Sequence, residues 1–125
     1  MKQTLEVLSD TYAIHSLDAD SNIPSSVLKC DVYFIGKTRD ELSIVAPQKL
    51  TVGAIETDFD WRVLEVLGPL NLSLVGIMAE ITGILASAKV SILVLSTFET
   101  DFILVKNDQL EIAIEALKKA DYRFN

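Results

Sequence analysis

The 125-residue chain holds one cysteine (Cys30), one histidine (His15), three prolines and five glycines. A lone cysteine forms no internal disulfide, which excludes a secreted disulfide scaffold. One cysteine and one histidine cannot build a zinc finger or a comparable metal site. A Cys/His nucleophile relay would have to use the only copy of each. Basic residues are also scarce: eleven against eighteen acidic ones give a net charge of −7. That sign repels phosphate backbones, so no nucleic-acid partner is expected. Long hydrophobic runs are missing as well. Glu6 and Asp10 interrupt any signal-peptide core behind Lys2. The longest uncharged run in the apolar centre, Val66 to Ala79, has 14 residues and includes Pro69 and Asn71. A spanning helix needs roughly 20 apolar residues. No membrane partner is expected, and a cytoplasmic location is.

Half of the residues are hydrophobic, enough for one core or two small ones. The second half of the chain has the clearer pattern. WRVLEVL, from Trp61 to Leu67, has apolar residues on both sides and reads as a buried strand, stopped by Gly68-Pro69. Leu74, Ile77, Met78, Ile81, Leu85 and Ala88 recur at helical spacing. Gly76 and Gly83 weaken that helix by about 1 kcal/mol each, which points either to a backbone packed close against a neighbour or to neutral drift. Ser91–Thr97 and Phe102–Val105 are two apolar, β-branched runs joined by a short connection, a hairpin pattern. Asp108 with Glu111 three residues later is a capping-box spacing. Leu110, Ala113, Ile114 and Leu117 form the buried stripe of the helix that follows, and Tyr122 to Phe124 reads as a last strand. The order β-α-β-β-α-β is the split βαβ of ferredoxin-like folds.

The first half reads as a degenerate copy. At a shift of 60 residues, Val45 meets Val105, Leu50 meets Leu110, and the apolar positions around them coincide. Ile23 to Lys29 allows a short helix, and nothing after Pro47 resembles the second one. The expected architecture is α+β: two ferredoxin-like units with antiparallel sheets, the first degenerate, over residues 1–58 and 59–125. The boundary is placed in the acidic stretch Glu56 to Asp60, read as a linker.

Familiar motifs fail on inspection. Asp18, Asp20 and Asn22 begin like a calcium loop, but Ile23 and Lys29 stand where glycine and glutamate belong. Gly36-Lys37-Thr38 lacks the preceding glycine of a P-loop, because residue 31 is Asp31. Asn71-Leu72-Ser73 is a glycosylation sequon without a secretory signal. His15 reads as a structural histidine, and Cys30 as a small buried hydrophobe. Ser25 and Ser26 have no recognisable base. No catalytic residue, metal ligand or cofactor site is expected, so the chain is read as a non-enzyme.

What remains is a set of polar residues at strand ends: Thr38, Asp40, Glu41 and Ser43 in the first half, Thr97, Glu99, Thr100 and Asp101 in the second. They serve either as hairpin turns or as a binding site. Asp101 stands directly before an apolar run and could accept a ligand's ammonium in a charge-assisted hydrogen bond.

Four segments then resemble the ACT domains of bacterial two-ACT amino-acid-binding proteins and of the cytosolic arginine sensors. They are WRVLEVLGPL (Trp61–Leu70), GIMAEITGILASAKVSI (Gly76–Ile92), STFETDFILV (Ser96–Val105) and TRDELSIVAP (Thr38–Pro47). The resemblance implies a regulatory module with an amino acid bound where ACT units meet. It places ligand contacts at Ser43, Ile44, Thr97, Phe98 and Asp101, with Asn71, Leu74 and Gly76 closing the pocket. It also implies a homodimer and signalling through altered domain or partner association. The other functional class left open is a protein-interaction module whose pocket is vestigial.

Overall fold

The computed structural model describes residues 2–67 and 76–125. In chain order the elements are β1 (Thr4–Val7), β2 (Tyr12–Leu17), α1 (Ser25–Leu28), β3 (Phe34–Lys37), β4 (Leu42–Pro47) and β5 (Glu56–Val66), then α2 (Ile77–Ser87), β6 (Ile92–Ser96), β7 (Asp101–Lys106), α3 (Leu110–Lys119) and β8 (Arg123–Phe124). The expected turn at Gly68-Pro69 and the Leu74 end of the second helix lie outside the described residues. No described helix is long and apolar enough to cross a membrane. By packing, the chain falls into two units, Asp10–Trp61 and Met1–Ser9 with Arg62–Asn125.

The acidic stretch expected to be a linker is strand. Glu56–Asp60 forms the first half of the 11-residue β5, and its backbone pairs with β2: His15 faces Thr57, and Ser16 faces Glu56. Pairing through backbone groups tolerates acidic side chains that stay in water, and Glu56, Asp58 and Asp60 are all exposed. A register shift between Tyr12 and Ile14 accompanies Asp60, whose φ is +68°. The Gln48 side chain holds that kink, with its Oε1 accepting from the Asp60 N–H at 2.6 Å and its Nε2 donating to Asp60 Oδ1 at 3.1 Å.

In the unit that holds the C-terminus, β5, α2, β6, β7, α3 and β8 follow the ferredoxin-like order. The strands lie as β6-β7-β5-β1-β8. The N-terminal β1 is an added member, antiparallel to β5 (Leu5 opposite Val66) and parallel to β8. Alternation sends Leu64 and Val66 to one face, as it does Ile103 and Val105. These pack with Leu5, with Ile81 and Leu85 of α2, and with Ala113 and Leu117 of α3. Each fully buried aliphatic side chain is worth about 1.5–3 kcal/mol.

Both long helices end in one motif. Val90 N–H reaches the Leu85 carbonyl and Lys89 N–H that of Ala86; Tyr122 and Asp121 bond Leu117 and Lys118 in the same pattern. This is the Schellman arrangement, which needs a left-handed residue after the cap. Lys89 (φ 63°) and Asp121 (φ 73°) supply it. Val90 and Tyr122 thereby enter the core beside Leu85 and Leu117.

Two sequence expectations fail in this unit. Asp108 and Glu111 form no capping box: Asn107–Gln109 make a short 3₁₀ turn, and α3 starts after Gln109 without a side-chain cap. Gly83 packs against nothing, since an added Cβ would meet no atom within 4 Å. Gly83→Ala is therefore expected to stabilise the protein by about 1 kcal/mol, and Lys89→Gly to relieve about 1–2 kcal/mol of left-handed cost. Urea unfolding of each variant measures this; a Gly83→Ala loss would mean the helix needs that gap.

In the other unit the strands lie as β3-β4-β2-β5. Leu42, Ile44 and Ala46 of β4 pack with Leu17 of β2 and with Val27 of the one-turn α1. A turn beginning at Pro47 stands where a second helix would fall, Leu50 N–H bonding the Pro47 carbonyl at 3.1 Å. The hairpins of the two units are built alike. Phe34 faces Val45 and Lys37 faces Leu42 in one; Leu93 faces Leu104 and Ser96 faces Asp101 in the other. Counterparts are therefore 59 residues apart, not the 60 of the sequence alignment. At this shift Thr38 matches Thr97 and Ile44 matches Ile103. A one-residue slip exchanges the two faces of a strand, so the Val45/Val105 match joins opposite faces.

Candidate functional site

Both hairpin turns are closed by a threonine. Thr38 N–H bonds the Glu41 carbonyl at 2.9 Å, and its Oγ1 accepts from the Asp40 and Glu41 N–H groups at 3.2 Å each. Thr97 N–H bonds the Thr100 carbonyl at 2.8 Å, and its Oγ1 accepts from the Thr100 N–H at 3.1 Å. Threonine serves because one hydroxyl satisfies N–H groups that the turn strips of strand partners. Thr97 is thus committed to its own turn. Phe98 projects from that turn with 84% of its surface exposed. Asp101 follows as the first residue of β7, half-buried. The structure brings Thr97, Phe98 and Asp101 together on one hairpin.

Gly76 precedes α2 with a φ of +88°, a conformation that glycine adopts without strain. Asn71 and Leu74 lie outside the described residues. Ser43 and Ile44 are adjacent on β4 but point oppositely. The Ile44 side chain is fully buried in the core. Because β4 lies between β3 and β2, its backbone groups are taken up by neighbours on both sides. The Ser43 hydroxyl is the accessible group of the two, and it donates to Glu41 Oε1 at 2.7 Å.

Ser43 opens onto a cleft of about 460 Å³, lined by Ile14, His15, Ser16, Glu41, Ser43, Glu56, Thr57 and Asp58. Register explains the grouping: Ser16 faces both Ser43 and Glu56, and Ile14 faces Asp58. Alternate residues of β2, β4 and β5 therefore meet on one sheet face. The lining residues carry three carboxylates, three hydroxyls and the His15 ring beside a single aliphatic side chain. No cationic side chain is in the lining, so this wall is chemically suited to receive an ammonium group. Sequence reasoning named Glu41 and Ser43 but not Ile14, Ser16, Glu56 or Asp58. The signal available was the acid at alternate positions 56 and 58, which is strand rather than linker spacing.

His15 is buried, with Nδ1 2.9 Å from Thr57 Oγ1. Its Nε2 has no hydrogen-bond partner, and burial lowers its pKa. Tyr12 donates to the Val32 carbonyl at 2.9 Å; burial, with Asp10 nearby, pushes its hydroxyl up to about 12. Cys30 is half-buried, its Sγ 3.5 Å from the Ser26 carbonyl. In the other unit, Glu80 is held below its ordinary range by Lys2 and by the Tyr122 hydroxyl, which donates at 2.9 Å. Among the described residues, no group of three His, Cys, Asp or Glu side chains is placed to hold a metal ion.

A family model described as an ACT domain matches residues 56–119, just over half of the chain, and a second, described as an N-terminal domain, matches 10–50. A search of curated proteins gives no match. Among solved structures, a protein of Agobacterium tumefaciens is 28% identical with a TM-score of 0.91, covering 100% of this chain and 93% of its own. A Vibrio cholerae protein of unknown function, described as a possible transport protein, is 17% identical with a TM-score of 0.70, covering 93% and 88%. The regulatory subunit of aspartate kinase from Thermus flavus is 15% identical with a TM-score of 0.65, covering 96% and 99%. At those identities the last two likenesses concern the fold alone.

Proposed function

The chain belongs to the ACT-domain family, and we propose that it is a non-catalytic regulatory module that binds an amino acid or similar small zwitterion. The observation that carries this reading is the cleft of about 460 Å³ where Glu41, Glu56 and Asp58 surround the Ser16 and Ser43 hydroxyls. A volume of that size admits an amino acid, and the carboxylates suit its ammonium end. A second seat for an ammonium is Asp101, at the start of β7 beside the Thr97 turn. The ACT-domain match over residues 56–119 supports a regulatory rather than a catalytic role. In this reading the Asp10–Trp61 unit is a degenerate ACT unit: it shares the threonine-closed hairpin and lacks the second helix. The protein acts in the cytoplasm, and ligand binding changes how it associates. Such a change requires different ligand affinity in the two states.

A thermal-shift screen against the twenty amino acids and related amines tests the proposal. Ligand at 100 times its Kd stabilises by about 2.7 kcal/mol, a midpoint rise of roughly 8–16 °C for a chain of this size. Asp101→Ala is expected to cost tenfold or more in affinity if β7 supplies the ammonium seat. A loss confined to Glu56→Gln and Asp58→Asn puts the seat in the cleft instead. A flat panel sinks the sensor reading and favours an interaction module with a vestigial pocket, for which the exposed Phe98 is the specific observation.

A further inference from the structure

The cleft has two walls. Glu41 and Ser43 stand with Ile14 and Ser16 of β2 on one, and Glu56 and Asp58 of β5 form the other. What joins the walls is the pairing of β2 with β5. Past the register shift it consists of three residue pairs: Ile14 with Asp58, His15 with Thr57 and Ser16 with Glu56. β2 holds β4 by six such pairs, so the seam toward β5 is the weaker side. His15 sits in the middle of that seam. It is buried, with Nδ1 2.9 Å from Thr57 Oγ1 and no hydrogen-bond partner for Nε2.

We propose that His15 is a proton switch for this cleft: uptake of one proton by the ring opens the seam between β2 and β5 and takes the cleft apart. The inference rests on the reading of the cleft as the ligand site and adds its regulation. As an imidazolium the ring carries a charge and a second N–H donor. A buried charge without a partner is costly, and separating the strands around it admits water. Alternation puts His15 on the face of Leu17, where the neighbours offer no relief. β4 sets Ile44 opposite it, β5 sets Thr57, and α1 brings Val27 to that face. The titratable groups there are Tyr33, Lys37 and Lys49, the last drawn to Asp10 at 3.8 Å. Glu41, Glu56 and Asp58 belong to the cleft instead, and burial lowers the ring's pKa. Opening the seam parts Glu56 and Asp58 from Ser16 and Ser43. The ammonium seat is lost with them.

Amide hydrogen exchange of the full chain between pH 7 and 5 tests this. No ligand is added, so its failure is told apart from failure of the amino-acid reading. The open form takes up a proton near pH 6.5, while the closed form stays neutral until lower pH. Opening therefore rises by up to tenfold per pH unit below about 6.5. Protection factors, corrected for the intrinsic rate, are expected to fall accordingly at Ile55, whose N–H bonds the Ser16 carbonyl at 2.9 Å, and in residues 56–58. Those of the β3-β4 hairpin and of Ile103–Val105 are expected to stay unchanged. His15→Gln is expected to abolish the fall. His15→Leu, which suits a buried face, serves as a second variant should the glutamine disturb the fold. Protection at Ile55 that does not change with pH overturns the proposal. So does a fall that persists in the variants, or one that spreads evenly through the β3-β4 hairpin.

Discussion

Truncating Ile103 to alanine is expected to destabilise the protein by about 2–5 kcal/mol, the range for deleting a buried isoleucine to its β-carbon. Ile103 is fully buried on β7, in a cluster with Leu64, Ile81, Leu85 and Leu117, so the lost methyl groups leave a void walled by two helices and three strands. Ile44, its counterpart at the same hairpin position, is equally buried. Its surroundings are thinner: the cluster has Leu17, Val27, Leu42 and Ala46, with a single helical turn above it. A void there has fewer neighbours to keep it open, so Ile44→Ala is expected at the lower end of that range. Urea unfolding gives both values, and amide exchange assigns each loss to a unit. Faster exchange across residues 10–61 in Ile44→Ala, with 76–125 still protected, would show that the smaller unit opens by itself. A loss below about 1 kcal/mol at Ile103 would mean that its cluster repacks, contrary to the tight interior described.

Acid is expected to weaken the fold through His15. The ring is buried against Thr57, and burial lowers its pKa below the ordinary 6.5. The unfolded chain therefore takes up a proton near pH 6.5, while the folded chain stays neutral until lower pH. The contribution of the neutral ring is fully present above pH about 6.5 and is lost as pH falls toward the folded value. The slope is at most about 1.4 kcal/mol per pH unit for one proton. Glu65, raised by burial and by Glu6, acts in the opposite sense in more acidic solution, since its protonation favours the folded state. Comparison with His15→Gln isolates the histidine. Its unfolding free energy is expected to be flatter between pH 6.5 and 5 than that of the unaltered protein. Parallel curves in that interval would refute the argument.

The C-terminal elements were legible because each depends on local periodicity. The stripe through Ile81 and Leu85 and that through Ala113 and Leu117 are set by helical spacing, and the β6-β7 hairpin joins neighbours in sequence. Pairings between distant segments were not legible. Nothing in TLEV announces that β1 joins a strand some 60 residues away, and acidic residues, depleted in strands, disguised the first half of β5. The alignment of the two hairpins missed by one residue because identical side chains at Val45 and Val105 outweighed the turn threonines. Side-chain identity is free to drift on a buried face, whereas a turn hydroxyl must satisfy particular N–H groups. The candidate site divides in the same way. Thr97, Phe98 and Asp101 share a hairpin that sequence spacing reveals, but the cleft depends on the pairing of β2 with β5, whose partners His15 and Thr57 are 42 positions apart. Only Ser43 and Glu41 could be named in advance.

The strand β5 also determines how the chain can be cut. Leu8 N–H bonds the Val63 carbonyl at 2.9 Å, and Tyr12 faces Trp61, so residues 10–61 leave β1 and return to β5 at neighbouring points. For the unit formed by Met1–Ser9 and Arg62–Asn125, the whole segment is topologically the loop of a β-hairpin, grown to the size of a folding unit. Closing a loop costs little more as it lengthens, about 0.6 kcal/mol per doubling. Changes in the length of this segment are therefore expected to cost the C-terminal unit little, provided that Leu8 and Val63 keep their pairing.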